Sequence, residues 1–179
     1  MWIRDAVPQA LPSIRNIIYG YDSKLLKSNS FQSISDLAQS FVLSLGAAGW
    51  DSPSSKPILF LAHSLGGIVL KEAIVKLANS TDKGLSTILG RVPGAIMFGV
   101  PNLGMQSHLL ALVEGQANEF LVDDLSREGG GSYVRDLNTR FKGLSFVDKA
   151  RILWAYETEE SPTVTVCERP LMCRTVRSG

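Results

Sequence analysis

Pro57 to Asn79 read PILFLAHSLGGIVLKEAIVKLAN. The apolar run Ile58–Ala62 is long enough for a buried strand. The apolar residues then recur as Ile68, Val69, Ala73, Ile74, Leu77 and Ala78, the spacing of a helix. Between the run and the helix stands Ala62-His63-Ser64-Leu65-Gly66, a G-x-S-x-G-like turn with alanine in the first small position. A serine on a tight strand-to-helix turn holds its hydroxyl clear of the sheet. The residues two before and two after it approach closely, and only side chains as small as those of Ala62 and Gly66 fit there. Gly67 lets the new helix pack tightly. The Leu65 N–H, at the helix N-terminus, is placed to face a developing oxyanion. One such donor contributes about 3 kcal/mol in a transition state, and the helix dipole adds to the field. The plainer alternative is a serine in an ordinary strand–helix turn.

The chain has 179 residues, a length that supports one domain. Hydrophobic residues make up 45%, enough for a real core, and the net charge of +1 with scattered basic residues argues against nucleic acid as a partner. The N-terminal Met1-Trp2-Ile3-Arg4-Asp5 carries charge where a signal peptide needs an apolar core. The longest uncharged stretch, Val92–Val113, is interrupted by Pro93, Gly94, Gly99, Pro101, Asn102 and Gly104, against a membrane span. Cys167 and Cys173 lie close together near the end of the sequence and make no zinc site. The expectation is a cytoplasmic protein without cofactor or metal.

Around the central stretch, Met1–Leu11 reads as a short amphipathic helix and Ile14–Tyr19 as a strand. Tyr21 and Asp22 follow at that strand's carboxyl end, where open α/β sheets carry function, or they serve as turn residues only. Ser30–Leu45 reads as a helix with Ser33 and Asp36 as its capping box and Gly46 as its terminator. Trp50 reads as a packed anchor, and Gly84 as the end of the polar segment after the elbow helix. Ala95–Val100 is the next strand, followed by Pro101-Asn102-Leu103-Gly104. Met105–Val113, Ala117–Leu125 and Ser132–Lys142 read as helices, forming either a lid or a lengthened crossover. Ala150–Tyr156 is the last clear strand, and from Thr158 onward no period holds. Strands alternating with helices imply a mostly parallel sheet flanked by helices.

A serine needs a base, and in this architecture the order is serine, acid, histidine. Asn102, after the first strand beyond the elbow, carries no charge and is a binding candidate. Glu157, after the second, is the candidate acid, with a surface glutamate as the alternative. Both histidines, His63 and His108, precede it. His63 adjoins the serine and reads as a packing or pocket residue. His108 reads as a non-standard base or a helix-surface residue. Loss of a triad histidine costs about a millionfold in turnover. The chain therefore reads as a fragment of a larger hydrolase-like domain, incomplete at both ends.

The segments MWIRDAVPQALPSIRNIIYGYDSKL, FLAHSLGGIVLKEAI, IMFGVPNLGM and YETEESPTV resemble α/β-hydrolase domains of filamentous fungi. These are the lipase-like domains at the N-termini of fungal NOD-like receptor proteins, akin to DUF676 and PGAP1-like serine esterases. The resemblance covers about residues 1–165, with 166–179 left as an irregular tail. It implies an α/β-hydrolase-type fold in which Ser64 matches the nucleophile. It also implies a small ester or lipid as substrate and a place in a larger multidomain protein. A non-catalytic signalling module built on the same fold is the alternative.

Overall fold

The computed structural model describes residues 5–22, 31–105, 118–126 and 133–156, together with two strands near the end of the chain. In order, the elements are α1 (Val7–Ala10), α2 (Ile34–Ala47), β1 (Leu59–His63), α3 (Leu65–Ala78), α4 (Lys83–Leu89), β2 (Gly94–Phe98), α5 (Glu119–Leu125), α6 (Tyr133–Lys142), α7 (Ser145–Lys149) and β3 (Arg151–Ala155). They are followed by β4 (Thr165–Arg169) and β5 (Met172–Thr175).

β1, β2 and β3 form one parallel sheet in that order, with Leu61 opposite Ile96 and Ile96 opposite Leu153. The ladder runs one residue beyond each carboxyl end. Ser64 N donates to Phe98 O at 2.9 Å, and Gly99 N to Ala155 O at 2.9 Å. Gly94 is required where β2 meets β3, since a Cβ there would lie 2.1 Å from Arg151 O.

Helix α3 is the hub. It contacts β1, α2, α4 and α6, and buried residues run almost continuously from Gly67 to Leu77. A helix buried on nearly all sides belongs in a core, even though this one carries Lys71 and Glu72 into it. Its tight seating depends on Gly67, whose missing Cβ would fall 2.2 Å from Val100 Cγ2, just past β2. Ile34, Leu37, Ala38 and Val42 of α2 and Leu137 and Phe141 of α6 complete this layer. The opposite sheet face, marked by Leu59 and Leu153, is open to solvent at 59% and 46% exposure. The architecture is α/β: a three-stranded parallel sheet with its helices packed on one face.

The ends of α2 follow from local chemistry. Ser33 and Asp36 form the capping box, with Ser33 N donating to Asp36 Oδ2 at 2.9 Å and Asp36 N to Ser33 Oγ at 3.2 Å. The helix runs through Gly46 rather than ending there. Gly49, at φ 78°, takes the left-handed position after the terminus. Asp124 of α5 accepts from Ile34 N at 2.8 Å, and buried Asn118 donates to Gln32 O at 2.7 Å. α5 is thus clamped onto the start of α2, with Leu121 and Leu125 in the core. The described part of this crossover is built into the domain.

Several expectations need correction. Ile14–Tyr19 forms no strand; Ile17 and Ile18 are 62% and 72% exposed, and an extended segment is a strand only when a neighbour supplies its hydrogen bonds. Gly84 lies inside α4, because Asp82 accepts from Gly84 N at 2.7 Å and caps a helix there. The segment expected to be irregular carries the antiparallel pair β4–β5, with Cys167 opposite Cys173 in register. Local pairing across a short connection needs little apolar pattern. Of the expected helix 1–11, the described part is helical over Val7–Ala10. The helix expected over 105–113 lies outside the described residues except for Met105. Trp50 is partly buried against the core.

Candidate functional site

Ser64 stands between the last residue of β1 and the first of α3 at φ 50°, ψ −125°. Among the described residues it alone has a positive φ without being glycine. Such a conformation costs of order 1–3 kcal/mol and persists only where the surroundings enforce it. Here the enforcement is visible on both sides. Ser64 N is fixed to Phe98 O, and Ser64 O accepts from Gly67 N at 3.0 Å. The side chain makes no capping bond to the helix it precedes, so its hydroxyl is not committed to α3. Leu65, as the first helical residue, presents an N–H that has no acceptor within the helix.

A cleft of about 360 Å³ opens over this turn. It is lined by Tyr21, His63, Ser64, Leu65, Gly66, Pro101, Met105 and Leu125. The floor is the turn itself and the start of α3. One wall is the loop after β2, which Gly104 N closes onto Pro101 O at 3.0 Å. Met105 N reaches Leu125 O at 2.7 Å, and this bond ties the wall to the end of α5. Burial, with Tyr19 nearby, pushes the Tyr21 phenol above its ordinary range. The arrangement offers a hydroxyl, a helix N-terminus and an apolar rim, a set suited to acyl chemistry on an uncharged substrate.

No family model matches this chain. Over 166 residues it is 24% identical to Protein SERAC1 of Danio rerio, a match covering 88% of this chain and 24% of that protein. The chain therefore spans about a quarter of that relative's length. Among solved structures, it is similar to Bacillus licheniformis lipase BlEst2 in its mature form, with a TM-score of 0.48 and 15% identity over 69% of this chain and 47% of that one.

Behind the cleft wall lies a buried polar knot. Lys71, on α3, is 2% exposed. Its ammonium donates to Asn102 Oδ1 and, at 2.5 Å, to Asn138 Oδ1. Asn138 Nδ2 in turn donates to Asn102 O. The Trp154 and Phe141 rings lie 5.0 and 5.8 Å from the same nitrogen. Burial, aided by Lys142, lowers the Lys71 pKa to about 8. Next to it, buried Glu72 pairs with Arg140 at 3.1 Å. These contacts fasten the loop 101–105 to α3 and α6 from the rear.

The expected site residues divide accordingly. Ser64, Leu65 and His63 come together in the cleft, and His63 is exposed at its rim. Tyr21 joins them. The Asn102 side chain turns instead to Lys71, so it braces the wall and does not line the cleft. Glu157 and His108 lie outside the described residues. Met105, Leu125 and Lys71 were not foreseen. For Lys71 a signal existed: it falls three residues after Ile68 and three before Ile74, on the inward face of α3. No group of metal-ligating side chains occurs among the described residues, and no helix among them is long and apolar enough to cross a membrane.

Proposed function

We propose that this chain carries the nucleophile of an esterase or lipase-like serine hydrolase, and that Ser64 is that nucleophile. The supporting observation is the strained backbone of Ser64 at the head of α3, facing a cleft. In the proposed reaction, Ser64 Oγ attacks the carbonyl carbon of an ester, and the carbonyl π pair moves onto oxygen beside the Leu65 N–H. Collapse of this adduct expels the alcohol and leaves an acyl-serine, which water then hydrolyses. The serine proton passes to an imidazole base oriented by a carboxylate and from there to the departing alcohol. Glu157, two residues beyond β3, is the carboxylate that the strand order favours. The apolar rim of Leu65, Pro101, Met105 and Leu125 favours a small ester or lipid acyl group. By resemblance, residues 1–165 form the hydrolase-type unit, placed in a larger multidomain protein of fungal lipase-like type.

A second reading is a non-catalytic interaction module built on the same fold: among the described residues His63 is the only histidine lining the cleft, and it adjoins Ser64 within the turn. Turnover of p-nitrophenyl esters from butyrate to palmitate separates the two. Hydrolysis that vanishes in Ser64→Ala supports the enzyme. A folded wild-type chain with no turnover above the Ser64→Ala background supports the module.

A further inference from the structure

We propose that the Tyr21 hydroxyl is a second donor to the oxyanion formed at Ser64, working beside the Leu65 N–H. Tyr21 has this role only if Ser64 is the nucleophile, the reading on which the proposal rests.

The placement is tertiary. Tyr21 follows segment 14–20, which forms no regular element, far from the elbow in sequence, yet its hydroxyl meets the first turn of α3. A Cβ on Gly66 would lie 3.4 Å from Tyr21 Oη. Gly66 is the second residue of α3, so the phenol oxygen rests against the helix end where the Leu65 N–H is presented. Tyr21, Ser64, Leu65 and Gly66 all line the same cleft. The absent side chain of Gly66 thus serves two purposes: it permits the tight turn and it leaves room for the phenol.

The phenol is also held. The Tyr21 ring lies 6.0 Å from Tyr19, and Tyr19 lies 4.6 Å from Phe41 of α2. Phe41 meets Phe60 of β1 edge-on at 5.8 Å. This chain of rings fastens segment 19–21 to α2 and to β1, the strand that ends next to Ser64. A donor fixed in advance stabilises developing charge without reorganising, and sites of acyl transfer commonly pair two donors.

The chemistry balances without a proton leaving the phenol. As the Ser64 Oγ–C bond forms, the π pair settles on the carbonyl oxygen, and Tyr21 O–H donates a hydrogen bond to it. On collapse the C=O bond re-forms, and the alcohol departs with the proton that Ser64 surrendered to the base. The raised pKa of Tyr21 keeps the hydroxyl protonated, and therefore a donor, across the range in which esters are assayed.

The test compares the wild type with Tyr21→Phe, which keeps the ring and its aromatic contacts and removes one oxygen. The rate of Ser64 phosphonylation by a fluorophosphonate is measured alongside kcat and KM for p-nitrophenyl butyrate. Thermal midpoints check that the fold is intact. The expected result is a fall of about 100-fold in both the phosphonylation rate and kcat, with KM unchanged. Equal rates, or a raised KM at unchanged kcat, overturn the Tyr21 role and leave Ser64 as nucleophile. A wild type whose Ser64 is not phosphonylated overturns both.

Discussion

Replacing Ser64 by glycine should stabilise the protein relative to replacing it by alanine. Both variants remove the hydroxyl, so they differ only in backbone preference. At φ 50°, ψ −125° a residue with a Cβ carries about 1–3 kcal/mol of strain. Glycine escapes that strain but loses about 0.5–1 kcal/mol more through its greater freedom in the unfolded chain. The balance favours Ser64→Gly by about 1 kcal/mol. At an unstrained position the sign reverses, and glycine is the less stable variant by about 0.5–1 kcal/mol. Urea unfolding of the two variants at 25 °C, fitted with a shared m-value, reads the difference directly. A glycine variant that unfolds at lower urea than the alanine variant refutes the claim that the turn is strained. Both variants should be inactive, so the strain and the chemistry are tested separately.

Gly94→Ala should prevent pairing of β2 with β3, because the new Cβ meets the backbone oxygen of Arg151 at 2.1 Å; loss of cooperative unfolding checks this. Gly67→Ala meets only the side chain of Val100, so Gly67→Ala combined with Val100→Ala should recover part of the stability lost in Gly67→Ala alone, as a double-mutant cycle will show. Lys71 has a pKa of about 8 in the folded protein, below the ordinary lysine value. The unfolded chain therefore binds more protons between about pH 8 and 10, and stability should rise with pH there, by at most about 3 kcal/mol. Urea midpoints from pH 7 to 9.5 should show this slope, and Lys71→Met should flatten it. Ser33→Ala should cost about 1 kcal/mol by removing the α2 capping box, measured by the same unfolding curves.

What was legible in the sequence was local. β1, the turn and α3 are contiguous, and a change from a continuous apolar run to helical spacing marks the join. The Ser33–Asp36 cap is legible for the same reason, since donor and acceptor sit three residues apart. Ile14–Tyr19 misled because β-branched residues report that a segment fits a sheet and not that a partner is present. α4 was hidden by Gly84, a residue that normally ends helices, because Asp82 supplies the acceptor that starts one. Within the cleft, Tyr21 was legible only as the residue after a presumed strand. Its contact with Gly66 depends on the Tyr19–Phe41–Phe60 stack, which joins three separate segments. Met105 and Leu125 reach the cleft through the clamp of α5 on α2, a purely tertiary event. The spacing puts Lys71 on the inward face of α3, but burial of an ammonium requires acceptors, here Asn102 and Asn138, that lie 31 and 67 residues away and are invisible locally.

The most direct measurement of the nucleophile assignment is intact-mass and peptide mass spectrometry after exposure to a fluorophosphonate. The account predicts a single phosphonyl adduct on the peptide containing Ser64, absent after prior heat unfolding and absent in Ser64→Ala. A natively folded protein that gains no adduct, or gains it on a different serine, contradicts it.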